Sequence, residues 1–117
     1  MSISPVRLNH AVLFVADLER SVAFYSQAFG MTVMAREPRA NAAFLRLPRS
    51  GNHHDLGLFG VGAQPPRARG GLGLYHLAWQ VDTIEDLSES LDSEPRFIKL
   101  AGGQTSEQAL SFDVDQD

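Results

Sequence analysis

The phrase Leu8-Asn9-His10-Ala11-Val12-Leu13-Phe14-Val15 returns in outline 66 residues later as Leu74-Tyr75-His76-Leu77-Ala78-Trp79-Gln80-Val81. Each copy is an apolar, strand-like run holding one histidine. Each is followed at once by a helix signal, Asp17-Leu18-Glu19 after the first and Asp82-Thr83-Ile84-Glu85 after the second. The repeated unit is therefore strand, cap, helix, and a duplicated fold sets His10 and His76 at equivalent places. Neutral imidazole is the commonest protein ligand for a metal ion, so two copies of one histidine-bearing strand facing each other point to a symmetric metal site.

A chain of 117 residues with 44% hydrophobic content is about one domain long and can build a core. A single domain over residues 1–117 is expected. The formal charge of -4 and a single lysine leave no basic stripe, which argues against a nucleic-acid partner. No cysteine is present, so thiolate ligands, disulfides and cysteine nucleophiles are excluded. The longest apolar runs are strand-sized, and Met1 to Pro5 lacks the layout of a signal peptide, so no membrane partner and a cytoplasmic location are expected.

Alternation from Leu8 to Val15 puts Leu8, His10, Val12 and Phe14 on one face and Asn9, Ala11, Leu13 and Val15 on the other. Asp17 suits an N-cap, and Leu18, Val22, Tyr25 and Phe29 form one helical stripe ending at Gly30. That helix should cover the Ala11/Leu13/Val15 face and leave His10 looking the other way. Extended runs follow at Met31–Glu37, Ala42–Leu47 and His54–Phe59, so a first module over about residues 6–60 reads β-α-β-β-β. Residues 61–73 have a Gly- and Pro-rich linker composition. A second module then restarts at 74, with a short amphipathic helix marked by Ile84, Leu87 and Leu91. Strands at Arg96–Leu100 and Ala109–Phe112 would follow, leaving this module, 74–117, short of a full copy by about one strand.

A lone histidine in an apolar strand is more often a hydrogen-bonded core or rim residue than a ligand. The repeat is what favours ligation for His10 and His76. His53 and His54 are adjacent, so only one of them can face a central cavity. If the strand runs from His54 to Phe59, His54 shares a face with Leu56 and Leu58. Asn52-His53-His54-Asp55 also reads as a polar strand entrance without function. On the ligand-facing side, Phe14 offers an aromatic wall, Ala78 leaves space, and Gln80 offers an amide to a ligand oxygen; ordinary packing is the competing account of Phe14. Gly70-Gly71-Leu72-Gly73 precedes a strand rather than a helix and is no phosphate loop. No serine lies in a nucleophile-elbow context.

Leu8-Asn9-His10-Ala11, the helix phrase Asp17 to Tyr25 and Gly30-Met31 together resemble the opening of the vicinal oxygen chelate superfamily, which includes glyoxalases, bleomycin-resistance proteins and extradiol dioxygenases. The resemblance covers residues 6 to about 90. It implies an α+β fold in which paired β-α-β-β-β modules form an incompletely closed barrel around a divalent metal. His54-Asp55-Leu56-Gly57-Leu58-Phe59 and Leu74-Tyr75-His76-Leu77-Ala78-Trp79 are similar to segments of the catechol 2,3-dioxygenase-like branch. By that likeness His10 and His76 are metal ligands and His54 is the acid/base histidine. In related members that are not dioxygenases, the His54 strand supplies a ligand instead.

The C-terminal part departs from the pattern. Phe112-Asp113-Val114-Asp115-Gln116-Asp117 resembles the family's Asp-Pro-Asp-Gly-Asn-like turn without its Pro and Gly, and the metal-binding glutamate expected after it is not in the sequence. No His or Tyr follows His76. Two imidazoles plus one carboxylate on one face of a divalent ion leave positions for a chelating catechol and for O2. Fe(II) is the metal the resemblance puts first, with Mn(II) or Zn(II) as alternatives. The carboxylate would come from Glu107, Asp113, Asp115 or a second chain. The function expected is metal-dependent, extradiol-type ring cleavage of a small aromatic substrate. The alternative is a glyoxalase- or resistance-like protein that binds a small molecule in the same cavity without turnover. An open barrel leaves an exposed strand edge that favours a homodimer.

Overall fold

The computed structural model describes residues 2–65, 71–74, 76–81, 99–100 and 108–113, of which 76, 81, 99–100 and 108–113 are described in backbone only. Two compact units divide at Ala63/Gln64.

The first unit runs β1 (Ala11–Val15), α1 (Leu18–Phe29), β2 (Thr32–Glu37), a 3-10 turn (Pro38–Ala40), β3 (Ala42–Arg46) and β4 (Leu56–Gly60). This is the β-α-β-β-β order expected from the pattern. The sheet order is β1-β4-β3-β2, with β1 parallel to β4 and the other pairs antiparallel; β1 and β2 are open edges, so the sheet does not close.

Helix α1 starts where its sequence says it should. The Asp17 carboxylate accepts from the Arg20 N–H at 3.2 Å, satisfying one of the orphan donors of the first turn. Gly30 ends the helix in the left-handed region at φ 67°, its N–H donating back to the carbonyls of Ser26 and Tyr25. Leu18, Val22 and Tyr25 are buried, and the core they join includes Leu13, Val15, Ala43, Leu45, Leu56 and Leu58. The helix therefore covers the Leu13/Val15 face of β1. Val12 and Phe14 on the other face are 49% and 75% exposed.

That open face is aromatic. Phe44 from β3 lies 6.0 Å, centroid to centroid, from Phe59 of β4, and Phe59 lies 6.3 Å from Phe14 of β1, both pairs edge to face. Gly57 sits between Val12 and Phe44 in the strand register and makes this arrangement possible. A Cβ there would lie 3.2 Å from the Phe44 ring and 3.3 Å from Val12 Cγ2. Gly57→Ala should displace the Phe44 ring and cost about 1 kcal/mol of stability through overpacking. Aromatic proton shifts of Phe44, followed with the thermal midpoint, check this.

The second unit contains β5 (His76–Val81), β6 (Lys99–Leu100) and β7 (Gln108–Asp113) in the antiparallel order β5-β7-β6. The strands expected at 74–81, 96–100 and 109–112 each coincide with an observed strand over the described residues. The helix expected over Asp82–Leu91 lies outside the described residues. No described helix is long and apolar enough to cross a membrane.

Candidate functional site

β1 and β4 are parallel, so both begin at the same edge of the sheet, and whatever precedes them meets there. Register pairs Ala11 with Leu56, and the Ala11 N–H donates to the Asp55 carbonyl at 3.1 Å. His10, just before β1, is consequently brought beside His54, two residues before β4. Their ring centroids are 4.5 Å apart. The Phe44 ring lies 5.0 Å from His54 and joins this pair to the aromatic face.

Two expectations are corrected here. The apolar run does not enter the sheet at Leu8 or at His54: β1 starts at Ala11 and β4 at Leu56. Leu8 is 82% exposed rather than packed beside His10. His54, preceding the strand, is released from strict alternation and does not share the buried face of Leu56 and Leu58; its ring meets Phe44 on the open side. The cause is local. The Asn52 side-chain amide donates to the Asn9 carbonyl at 2.9 Å, taking a place that a further ladder bond would have filled.

Asn52 is the hub of this edge. Its Nδ2 also donates to Asp55 Oδ1 at 2.8 Å, while its Oδ1 accepts from Arg7 at 2.7 Å and from Asn9 Nδ2 at 3.2 Å. Asp55 further accepts from the Leu47 N–H at 2.9 Å and the Ser50 hydroxyl at 2.7 Å. Burial pushes the Asp55 carboxyl up, but these donors, led by the Leu47 N–H and helped by His54, hold it below the ordinary carboxylate value.

The histidines differ in what surrounds them. Asn9 Oδ1 lies 2.9 Å from His10 Nδ1. His54 Nδ1 lies 3.0 Å from His53 Nδ1, so one of those nitrogens donates and the other accepts. Burial, then the neighbouring His10 and His53 imidazoles, lower the His54 pKa below its ordinary value against a smaller opposing effect of Asp55. A neutral imidazole, able to take a proton, is therefore favoured at neutral pH.

Of the residues singled out in the sequence, His10, His54 and Phe14 fall at the start of the sheet or on its open face. His76 is the first residue of β5, and Asp113 is its direct partner in the antiparallel register. Directly opposed residues share a face of the sheet. Ala78 and Gln80 alternate as exposed positions with half-buried Leu77 and Trp79. Glu107 and Asp115 lie outside the described residues. Among the described residues, no group of three or more His, Asp or Glu side chains converges as a metal cluster. Sequence reading passed over Asn9, Phe44, Ser50 and Phe59. Asn9 adjoins a singled-out histidine, and Asn52 and Asp55 stood in a stretch judged ambiguous.

Comparison with known proteins gives the chain its context. Residues 7–99 match the Glyoxalase/Bleomycin resistance protein/Dioxygenase superfamily. The chain is 30% identical over 118 residues to biphenyl-2,3-diol 1,2-dioxygenase of Pseudomonas sp. (strain KKS102), a match covering 92% of this chain and 37% of that protein. It is 29% identical over 85 residues to metapyrocatechase 2 of Cupriavidus necator, covering 73% of this chain and 24% of that protein. The chain thus matches well under half the length of these curated relatives. No solved structure matches it significantly.

Proposed function

Because the chain belongs to the glyoxalase/bleomycin resistance/dioxygenase superfamily, we propose that it is a metal-dependent module of the extradiol ring-cleaving type, acting on a small aromatic diol. The observation that carries this reading is the pairing of His10 with His54 at 4.5 Å, at the head of a sheet face lined by Phe14, Phe44 and Phe59. The name of one relative, biphenyl-2,3-diol 1,2-dioxygenase, supports the substrate class. Aromatic side chains on an open face suit a flat apolar ring, and the neutral His54 imidazole suits a hydroxyl proton.

Imidazole and carboxylate donors are of the kind that suit a divalent ion. Asn9 Oδ1 lies 2.9 Å from His10 Nδ1, so Nε2 is the nitrogen of that ring left to face a metal. We assign His10 and His76 as ligands, and Asp113, opposite His76 in the register, as the carboxylate. Bound there, a divalent ion supplies charge that favours an ionised diol oxygen and positions at which vicinal oxygens chelate. His54 takes the proton from a diol hydroxyl, being neutral where the reaction runs. Phe44 keeps the His54 ring in place, and Phe14, with Ala78 and Gln80 of the second unit, contacts the substrate. Ring cleavage needs only diol and O2, both oxygen atoms ending in the product, so no external reductant is called for.

Anaerobic loading with Fe(II), addition of catechol or 2,3-dihydroxybiphenyl, and an oxygen electrode test the reading. One O2 consumed per diol is expected. Stoichiometric metal without oxygen uptake across a panel of catechols would overturn ring cleavage in favour of ligand binding without turnover. His54→Ala should retain metal yet lower kcat by about 100-fold or more, in the range of general-base contributions. Loss of metal in that variant would instead make His54 a ligand.

A further inference from the structure

Hydrogen-bond polarity at the head of the sheet fixes more than the position of His10. Asn52 is held between two groups that each offer one polarity only. Arg7, a guanidinium, can only donate, and it lies 2.7 Å from Asn52 Oδ1. Ionised Asp55 can only accept, and it lies 2.8 Å from Asn52 Nδ2. Rotating the Asn52 amide by half a turn would set donor against donor and acceptor against acceptor at both ends. Its orientation is thereby determined by chemistry, and Oδ1 must be the atom facing Asn9.

The same logic passes one step further. Asn52 Oδ1 accepts from Asn9 Nδ2 at 3.2 Å, so the Asn9 amide turns its own Oδ1 to the other side, where it meets His10 Nδ1 at 2.9 Å. An amide oxygen cannot donate, so His10 Nδ1 must carry the proton. A neutral imidazole protonated at Nδ1 has its lone pair on Nε2. We propose that Asn9 and Asn52 are positioning residues that lock His10 in the Nδ1–H tautomer, so that Nε2 is the nitrogen delivered to a metal ion. This deepens the reading of His10 as a ligand and rests on it. The relay spans 45 residues of sequence, from Arg7 to Asn52, and its one function-specific output is a choice of nitrogen.

The tautomer can be read in the metal-free full chain. Nitrogen-15 correlation spectra of the imidazoles, taken well above the imidazole titration range, distinguish Nδ1–H from Nε2–H. The wild type and Asn9→Asp, which keeps an acceptor oxygen beside Nδ1, should both show His10 as Nδ1–H. Asn9→Leu should shift His10 towards Nε2–H and, with Zn(II) as the titrant, weaken binding about tenfold or more, the range seen when an outer partner of a ligand is lost. A wild-type His10 in the Nε2–H form, or an Asn9→Leu variant unchanged in both tautomer and Zn(II) affinity, would overturn the relay. Should Asn9→Leu not fold, the wild-type spectrum alone decides. Wild-type protein that shows the Nδ1–H tautomer but binds no divalent ion would uphold the relay and overturn the metal-dependent reading.

Discussion

His10→Ala is expected to strip the protein of its divalent ion: metal content after anaerobic loading and desalting should fall from one equivalent to background, with oxygen uptake lost alongside. Three protein ligands are proposed, His10, His76 and Asp113, and removing one imidazole leaves only two donors for the ion. His76→Ala should do the same, since the two histidines are proposed as equivalent ligands. Asp113→Asn should weaken binding less completely, because an amide oxygen keeps a donor while removing the charge. Atomic emission on the desalted proteins measures all three. Equal metal content in wild type, His10→Ala and His76→Ala would remove both from the site.

Asp55→Ala should be the most damaging change to stability that leaves every proposed ligand in place. It leaves the Leu47 N–H, the Ser50 hydroxyl and the Asn52 amide without their common acceptor. Hydrogen bonds to a charged group contribute about 1.5–3 kcal/mol, so a loss near the top of that range is expected. For a unit of this size that corresponds to a fall of roughly 10 °C or more in Tm. The pH dependence carries a definite sign. Asp55 titrates below its unfolded value of 3.8, so the unfolded chain binds the proton first on acidification. Its contribution is complete above about pH 5 and disappears as pH falls through the depressed native value. The wild type should therefore lose stability over that acid range and Asp55→Ala should not show this component. His54, also depressed, adds a separate loss that begins as pH drops below its ordinary 6.5 and that Asp55→Ala retains. Denaturant midpoints between pH 7 and pH 3 separate the two.

Much of the first unit was legible because its information is periodic. Leu18, Val22 and Tyr25 recur at helical spacing between a capping Asp17 and a terminating Gly30, and each is buried as that spacing requires. Leu13 and Val15 alternate with Val12 and Phe14, and burial follows the alternation. The approach of His54 to His10 was harder to see. A strand running from His54 to Phe59 would put His54 on the face of Leu56 and Leu58, but alternation holds only inside a strand, and β4 begins two residues later. What ends the strands, the amides of Asn9 and Asn52, acts across 43 residues and leaves no periodic trace. Asn52-His53-His54-Asp55 looked like a polar entrance, and it is one. Its polarity also organises the imidazole pair.

In the second unit the repeat located the strand of His76, and the ladder with β7 added what no spacing could have supplied, the opposition of His76 and Asp113. Asp113 closes the six-residue pairing, opposite the first residue of β5, and no spacing in the sequence reveals that. Only register distinguishes Asp113 from Glu107 and Asp115 as a partner.

The most direct test of the central claim is a crystal structure of the full chain loaded anaerobically with Fe(II), with anomalous data at the iron edge. The account predicts one iron with His10 Nε2 and a His76 ring nitrogen both within about 2.0–2.3 Å, typical metal–ligand distances. An iron bound by only one of these imidazoles, or seated elsewhere on the chain, would contradict it.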